Sequence, residues 1–158
     1  MEKDSGLYWI RHLGLSPHEE GGWFKHLWTS EISLALAGLP EGYGGDRGSC
    51  SLIYYLLRAG EVSCWHQLRS PELWLWQQGG TLLQTQGGLG EAPTAEKTLV
   101  LGPRPEKGEA LHLVVPQLTW QTTRVAEGDF VLVSCVVSPA YHQAEMKMAD
   151  MKMAEESR

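Results

Sequence analysis

The sequence predicts an all-β protein, a sandwich or barrel, and three observations carry that prediction. Short apolar runs of strand length recur along the chain, glycine, proline and aspartate punctuate them every several residues, and helical periodicity is confined to the N-terminus. At 158 residues the chain is about one domain long, enough to bury a core of its own. Residues 1–142 are read as a single domain and 143–158 as a tail.

The first element is a short helix. Asp4 or Ser5 can cap it, Leu7, Ile10 and Leu13, with Trp9 beside them, form its apolar stripe, and Gly14 ends it. Ser16–Gly22 is a polar turn in which Gly21-Gly22 frees the backbone, and Trp23–Ser30 reads as the first strand. Ile32–Leu39 is a short apolar run of open type. Pro40–Gly48 holds four glycines and a proline and reads as a loop that could cover the mouth of a cavity. It lacks the lysine and the spacing of a phosphate-binding loop.

Cys50–Arg58 is an almost unbroken apolar run whose β-branched and aromatic content favours a strand. Glu61–Leu68 and Glu72–Gln78 follow on either side of Arg69-Ser70-Pro71, then Thr81–Gln86, with Gly79-Gly80 and Gly87-Gly88 expected to be hairpin turns. Thr98–Leu101, Ala110–Val115, Leu118–Val125 and Phe130–Val137 complete the set, the last two joined by an expected turn at Ala126-Glu127-Gly128-Asp129. The tail repeats Met-Lys-Met-Ala-Asp as Met-Lys-Met-Ala-Glu. Its methionines keep no single helical face, so a frayed helix or a disordered segment is expected, with docking to a partner as the alternative.

Composition excludes some partners. The net charge is −6 and no stretch clusters Lys or Arg, which argues against nucleic acid. No run is long and apolar enough for a membrane helix, and the polar opening does not read as a signal peptide. Cys50, Cys64 and Cys135 are an odd, widely spaced set. Reduced thiols and a cytoplasmic location are therefore expected. Seven tryptophans are many for this size, and some are expected to line a cavity.

The stretch most suggestive of a site is Gly60–Gly80. Alternation puts His66 and Leu68 on one face of the first strand, with Cys64 on the same side as a small pocket wall. Glu72, Trp74 and Trp76 share one face of the second. An imidazole and a carboxylate on facing strands, with indoles beside them, suit a ligand-binding or metal-binding wall. A hairpin with a polar pair at its rim explains the same spacing.

Gly60, His66, Leu68, Glu72 and Gly79 follow the first cupin motif, G-x5-H-x-H-x3-E-x6-G, with Leu68 in place of the second histidine. Pro116–Gln121 resembles a degenerate second motif in which Leu118 replaces a glycine, Gln121 the metal-binding histidine and Val125 an asparagine. Pro17–Phe24 resembles the H-P-E-G-G-[YF]-[YF] opening of one small single-domain cupin branch of unknown function. That branch's pattern continues as G-E-x-S-x-W-H, E-x-W and V-P-x-x-x-W-Q, matched here at Gly60–His66, Glu72–Trp74 and Val115–Gln121. The resemblance spans roughly residues 7 to 140. It implies a cupin jelly-roll β-barrel with a short N-terminal helix and a C-terminal tail, which agrees with the strand pattern, and it implies a homodimer.

What the resemblance implies about activity is open among three classes. The first is a small-molecule-binding cupin, with Trp74, Trp76 and Trp120 as apolar walls around His66 and Glu72, and with Glu20, Tyr55, Leu68 and Gln121 as further ligand-binding residues. The second is a metal-free isomerase or epimerase of a sugar-like substrate, with His66 as general base, Glu72 orienting it and Tyr141 or Tyr55 as acid. The third is a divalent-metal enzyme, which Leu68 and Gln121 disfavour. Any metal would have only His66, Glu72 and Gln121 as donors and would be held weakly. The reading adopted is the first, with no cofactor. His12, His18, His26, His112 and His142 are taken as surface or incidental core residues.

Overall fold

The computed structural model describes residues 5–150; Asp4 as a helix cap and the second copy of the methionine repeat lie outside the described residues. Helix α1 spans Gly6–Leu13. The Ser5 hydroxyl accepts from the Tyr8 amide and Gly14, at φ 66°, closes its C-terminus. Ile10 is the buried residue of the stripe, and it packs with Leu15, Leu56, Phe130 and Leu132.

Eleven strands follow among the described residues. β1 (Ser16–Pro17), β2 (Trp23–Thr29), β3 (Ser33–Leu34), β4 (Arg47–Gly48) and β5 (Ser51–Arg58) lead into β6 (Val62–Gln67), β7 (Glu72–Gln86) and β8 (Lys97–Leu101). β9 (His112–Val115), β10 (Gln121–Val137) and β11 (Lys147–Met148) complete the order. β3 and β4 form a separate two-stranded ladder at the ends of the glycine-rich loop.

β7 and β10 run antiparallel along almost their whole lengths, Glu72 opposite Val137 and Gln121 opposite Gln86. The C-terminal half of β10 also pairs with β5, whose other neighbour is β2, and the N-terminal half of β7 pairs with β9. These strands make one sheet. The other halves of the same two strands pair with β6 and β8 and make the second sheet. One pair of strands thus passes through both faces of a jelly roll, and the all-β barrel expected from the sequence is the fold.

Two expected hairpin turns are absent, and the reason is steric. Gly79-Gly80 lies inside β7 and residues 126–129 lie inside β10, at the place where the paired strands bend from one sheet to the other. A Cβ on Gly80 would stand 1.9 Å from the Glu127 carbonyl oxygen, and one on Gly79 would stand 2.3 Å from that of Phe130. Gly128 approaches the Gly80 backbone in return. The glycines permit a close backbone crossing, with the ladder register slipping around Glu127.

The main core lies between the sheets. Tyr55, Leu57, Trp74, Val131 and Val133 from the first meet Leu82 and Leu101 from the second. The outer face of the first sheet is covered by α1 through Leu56, Phe130 and Leu132. Burial on both faces is why β5 reads as a continuous apolar run rather than an alternation. Among the described residues, no helix is long and apolar enough to cross a membrane.

Residues 143–149, grouped with the tail on sequence, fold back on the barrel. Gln143–Glu145 forms a 3-10 turn, Arg47 clamps Glu145 at 2.5 Å, and β11 pairs with β6, Met148 opposite His66. The loop carrying Arg47 is held down by this ion pair, and by the Tyr43 and Ser70 hydroxyls 2.8 Å apart.

The crossing makes a direct prediction. Gly80→Ala is expected to lower stability to denaturant by about 2–4 kcal/mol, because backbone must move to admit the methyl group. Gly38→Ala, with no atom within 4 Å of its added Cβ, is expected to change it by less than about 0.5 kcal/mol. Equal effects at the two sites would show that the crossing tolerates a side chain.

Candidate functional site

Glu20 reaches the barrel because the chain before β2 folds tightly on itself. The His18 amide donates to the Gly22 carbonyl at 2.9 Å, the Gly21 amide returns to the His18 carbonyl at 3.0 Å, and the Cys64 amide donates to the Glu20 carbonyl at 2.7 Å. The last of these pins the turn to β6. Gly21 and Gly22 have φ of 102° and 76°. A Cβ on Gly21 would fall 2.1 Å from the Val62 carbonyl oxygen, and one on Gly22 2.7 Å from the Tyr55 hydroxyl. Only glycine lets the turn lie this close, and the turn delivers Glu20 to a site where it is 7% exposed.

His66 owes its direction to a bulge. Its register partner is Gln121 while that of Ser63 is Thr123, so Cys64 and Trp65 share the space opposite one residue of β10. The bulge turns Ser63 and His66 inward together and leaves Cys64 exposed. The expectation that Cys64 shares the side of His66 fails for this reason.

The His66 ring is 1% exposed, with Nδ1 2.8 Å from the Cys64 carbonyl oxygen. A carbonyl only accepts, so Nδ1 carries the proton. Nε2 lies 3.1 Å from Glu20 Oε2. Burial moves the His66 pKa below its ordinary 6.5, against the pull of Glu72 and the Cys64 carbonyl. Burial likewise pushes Glu20 up to about 7, although His18 and Ser63 favour its charged form. A neutral imidazole protonated at Nδ1 presents a lone pair at Nε2, which accepts a hydrogen bond from Glu20 when that carboxyl is protonated.

Glu72 was expected to orient His66; its hydrogen bonds go elsewhere. Its Oε1 accepts from Trp74 Nε1 and from Gln121 Nε2, both at 2.9 Å. Burial first, and then the charge of Glu20, push Glu72 up to about 7, while His66 and the two donors oppose the shift. Gln121 is 0% exposed and bridges the start of β10 to the start of β7, with its own Oε1 unpaired. The direct partner of His66 is Glu20.

A cavity of about 200 Å³ opens beside these groups. Glu20 and Glu72 line it with Phe24, Ile53, Leu68 and Val137, and His18, His26 and Tyr141 contribute further wall. No tryptophan does. Trp74 is in the core with its N–H on Glu72, Trp76 donates to the Gly80 carbonyl, and Trp120 is fully buried with its N–H on the Gly90 carbonyl. Each indole N–H has a structural partner, and the flat walls come instead from phenylalanine and aliphatic side chains. The glycine-rich loop is not part of the wall.

Tyr55 does not line the cavity. Its hydroxyl donates to the Gly21 carbonyl, and burial raises its pKa well above 10. Tyr141 is at the wall but 37% exposed, and burial again raises its pKa. His66 stands behind Glu20 and is not among the lining side chains. Sequence reasoning missed His18 and His26. His18 accepts from the Glu20 amide at Nδ1 and packs edge-on against Phe24. The signal for it was the glycine pair, which forces the residues just before it onto the barrel.

The donor set does not fit a cupin metal. Leu68 occupies one ligand position, Gln121 turns its amide N–H₂ toward Glu72, and Glu20 meets His66 directly. Among the described residues, no group of three His, Cys, Asp or Glu side chains is placed to hold an ion.

Comparison with known proteins places these features. The family described as "Cupin superfamily (DUF985)" matches residues 7–149. A hypothetical protein from Leishmania major superposes with a TM-score of 0.82 at 25% identity, over 96% of this chain and 91% of its own. A protein from Shewanella oneidensis does so at 0.78 and 30% identity, over 94% and 86%. A cupin 2 conserved barrel domain protein from Rhodopseudomonas palustris shares the fold alone, at 0.56 and 14% over 90% and 83%. No curated protein matches the chain.

The buried acids make stability depend on pH. A carboxyl at 4.5 in the unfolded chain and about 7 in the folded one stabilises the fold fully below pH 4.5. That contribution is lost as pH rises through 7. Glu72→Gln keeps an acceptor and removes the titration, so its stability relative to the wild type should rise between pH 4.5 and 8, by on the order of 3 kcal/mol. The depressed His66 works in the opposite direction below 6.5, and because the Glu72 charge raises it the comparison is made between pH 4.5, where Glu72 is neutral, and pH 8, where His66 is neutral. Urea titrations across that range test this, and a pH-independent difference would mean that Glu72 ionises freely in the fold.

Proposed function

The chain belongs to the cupin superfamily, in the family described as DUF985, and on that footing we propose that it binds a small organic molecule in the cavity between its sheets. The observation that carries this reading is the composition of the cavity wall. Two buried carboxyls stand among Phe24, Ile53, Leu68 and Val137. A mostly apolar surface with a few convergent polar groups is the usual make-up of a small-molecule site. A void of roughly 150 Å³ already accepts a benzene ring, so about 200 Å³ suits one ring with a short arm.

A second reading, proton transfer on a bound sugar-like substrate, is favoured by the direct contact of Glu20 on the wall with His66, 3.1 Å away. In that reading Glu20, on the wall, is the base that meets substrate, and His66 behind it sets its protonation. His66 as the direct base does not suit its position. Ionised Glu20 takes a proton from a carbon adjacent to a carbonyl, Glu72 in its protonated form returns one to the same carbon from the other side, and exchange with solvent resets the two carboxyls. Both steps need only protons.

A homodimer belongs to the same proposal. Leu27 and Trp28 on β2 and Ile32 beyond it are exposed, and a second copy would cover them.

Ligand-observed NMR with a library of small aromatic and sugar-like molecules tests the binding reading. Hits are expected with the wild type and should be lost in Val137→Phe, which fills the cavity. An absence of hits, or hits that survive the filling, would overturn it. For proton transfer, a hit incubated in D₂O should gain deuterium with the wild type and not with Glu20→Gln. For the dimer, light scattering should give twice the chain mass, reduced by Trp28→Glu.

A further inference from the structure

The cavity has a charge character that its apolar walls do not require. Glu20 and Glu72 both line it, and among the described residues its lining holds no lysine or arginine, the basic side chains there being His18 and His26. Glu72 is 7% exposed and both its hydrogen bonds reach Oε1, which leaves Oε2 without a hydrogen bond among the described residues. Glu20 places Oε2 on His66, while Oε1 lies 3.9 Å from His18 Nδ1, a ring atom already accepting from the Glu20 amide. Glu72 therefore keeps one oxygen without a hydrogen bond among the described residues, and the Glu20 carboxyl, with His66, His18 and Ser63 beside it, lines the same cavity. Two like groups so placed, in a water-poor space, repel an anion and gain most from a shared cation.

Resting on the small-molecule reading above, we propose that the ligand is a small organic cation. Its ammonium head sits between the carboxylates of Glu20 and Glu72, and its apolar body lies against Phe24, Ile53, Leu68 and Val137. An alkylammonium offers up to three N–H donors, enough to reach Glu72 Oε2 and the Glu20 carboxylate together. Charge-assisted bonds of this kind are about twice as strong as neutral ones. The apolar wall supplies the remaining affinity and confines the ligand to one ring or a short chain. An inorganic divalent ion satisfies the charge but not the apolar wall, and among the described residues it finds no third donor group.

Three probes of nearly equal shape separate the elements of the proposal: benzylammonium, benzyl alcohol and benzoate. Binding is followed by calorimetry at pH 8, in the full-length wild type, Glu72→Gln and Glu20→Gln. Benzylammonium is expected to bind at least tenfold more tightly than benzyl alcohol, and benzoate not at all. Each substitution should weaken benzylammonium tenfold or more while changing benzyl alcohol less than threefold. If benzyl alcohol or benzoate binds as well as benzylammonium, the charge inference fails and the small-molecule reading stands. If none of the three binds while the NMR library still gives cavity hits, the cation inference alone fails. If the library is also silent, both fail. Displacement of benzylammonium by stoichiometric MnCl₂ would assign the carboxyl pair to an inorganic ion and overturn the proposal. A circular-dichroism melt of each variant shows whether a lost signal reflects unfolding, and either variant that folds is sufficient for the comparison.

Discussion

The antiparallel ladder of β7 and β10 is the constraint on which the remainder depends. Because the two strands stay paired while they pass from one sheet to the other, the sheets share a hinge of backbone and cannot slide independently. That passage requires the chains to meet more closely than any Cβ permits at Gly79 and Gly80. The same ladder sets the site. Glu72 opens β7 in one sheet, Gln121 opens β10 in the other, and the hydrogen bond between their side chains spans the barrel interior. Glu20 arrives from outside the ladder, carried by a turn that is fastened to β6 by its own backbone.

Desolvation governs the chemistry of this site. For Glu20, His66 and Glu72 alike, burial is the largest influence on protonation, and neighbouring charges only moderate it. Their common burial pushes the two carboxyls up and the imidazole down. Groups whose pKa values burial perturbs in this way occur at functional sites more often than elsewhere. The arrangement has donors that do not suit a divalent metal, which separates it from cupins that use one. The jelly roll hosts both.

How much of this was legible in the chain varied by element. The apolar runs of β5, β8 and β9 and the capped helix could be read directly, because period, composition and punctuation agree there. Gly79-Gly80 and Ala126–Asp129 carry the composition of turns, yet they are points of close approach inside long strands. Local sequence does not distinguish a glycine that bends the chain from one that admits a neighbour. Trp74, Trp76 and Trp120 read as cavity wall on sequence, whereas Trp74 and Trp120 are buried and Trp76 is half-buried against the core, a difference that depends on where each N–H finds its acceptor. Residues 143–149 look like a tail by composition, and an ion pair to Arg47 and an edge ladder to β6 bind them to the barrel.

By itself the sequence determined the all-β class, the cupin resemblance and the chemical types at the site, because alternation, turn residues and motif spacing are local properties of the chain. Tertiary structure decided which of those groups meet. A one-residue bulge in β6 turned His66 inward and Cys64 out, and two glycines at positive φ let Glu20 reach the imidazole that spacing had assigned to Glu72. Both outcomes depend on backbone contacts between segments distant in sequence, and no pattern along a single strand encodes them.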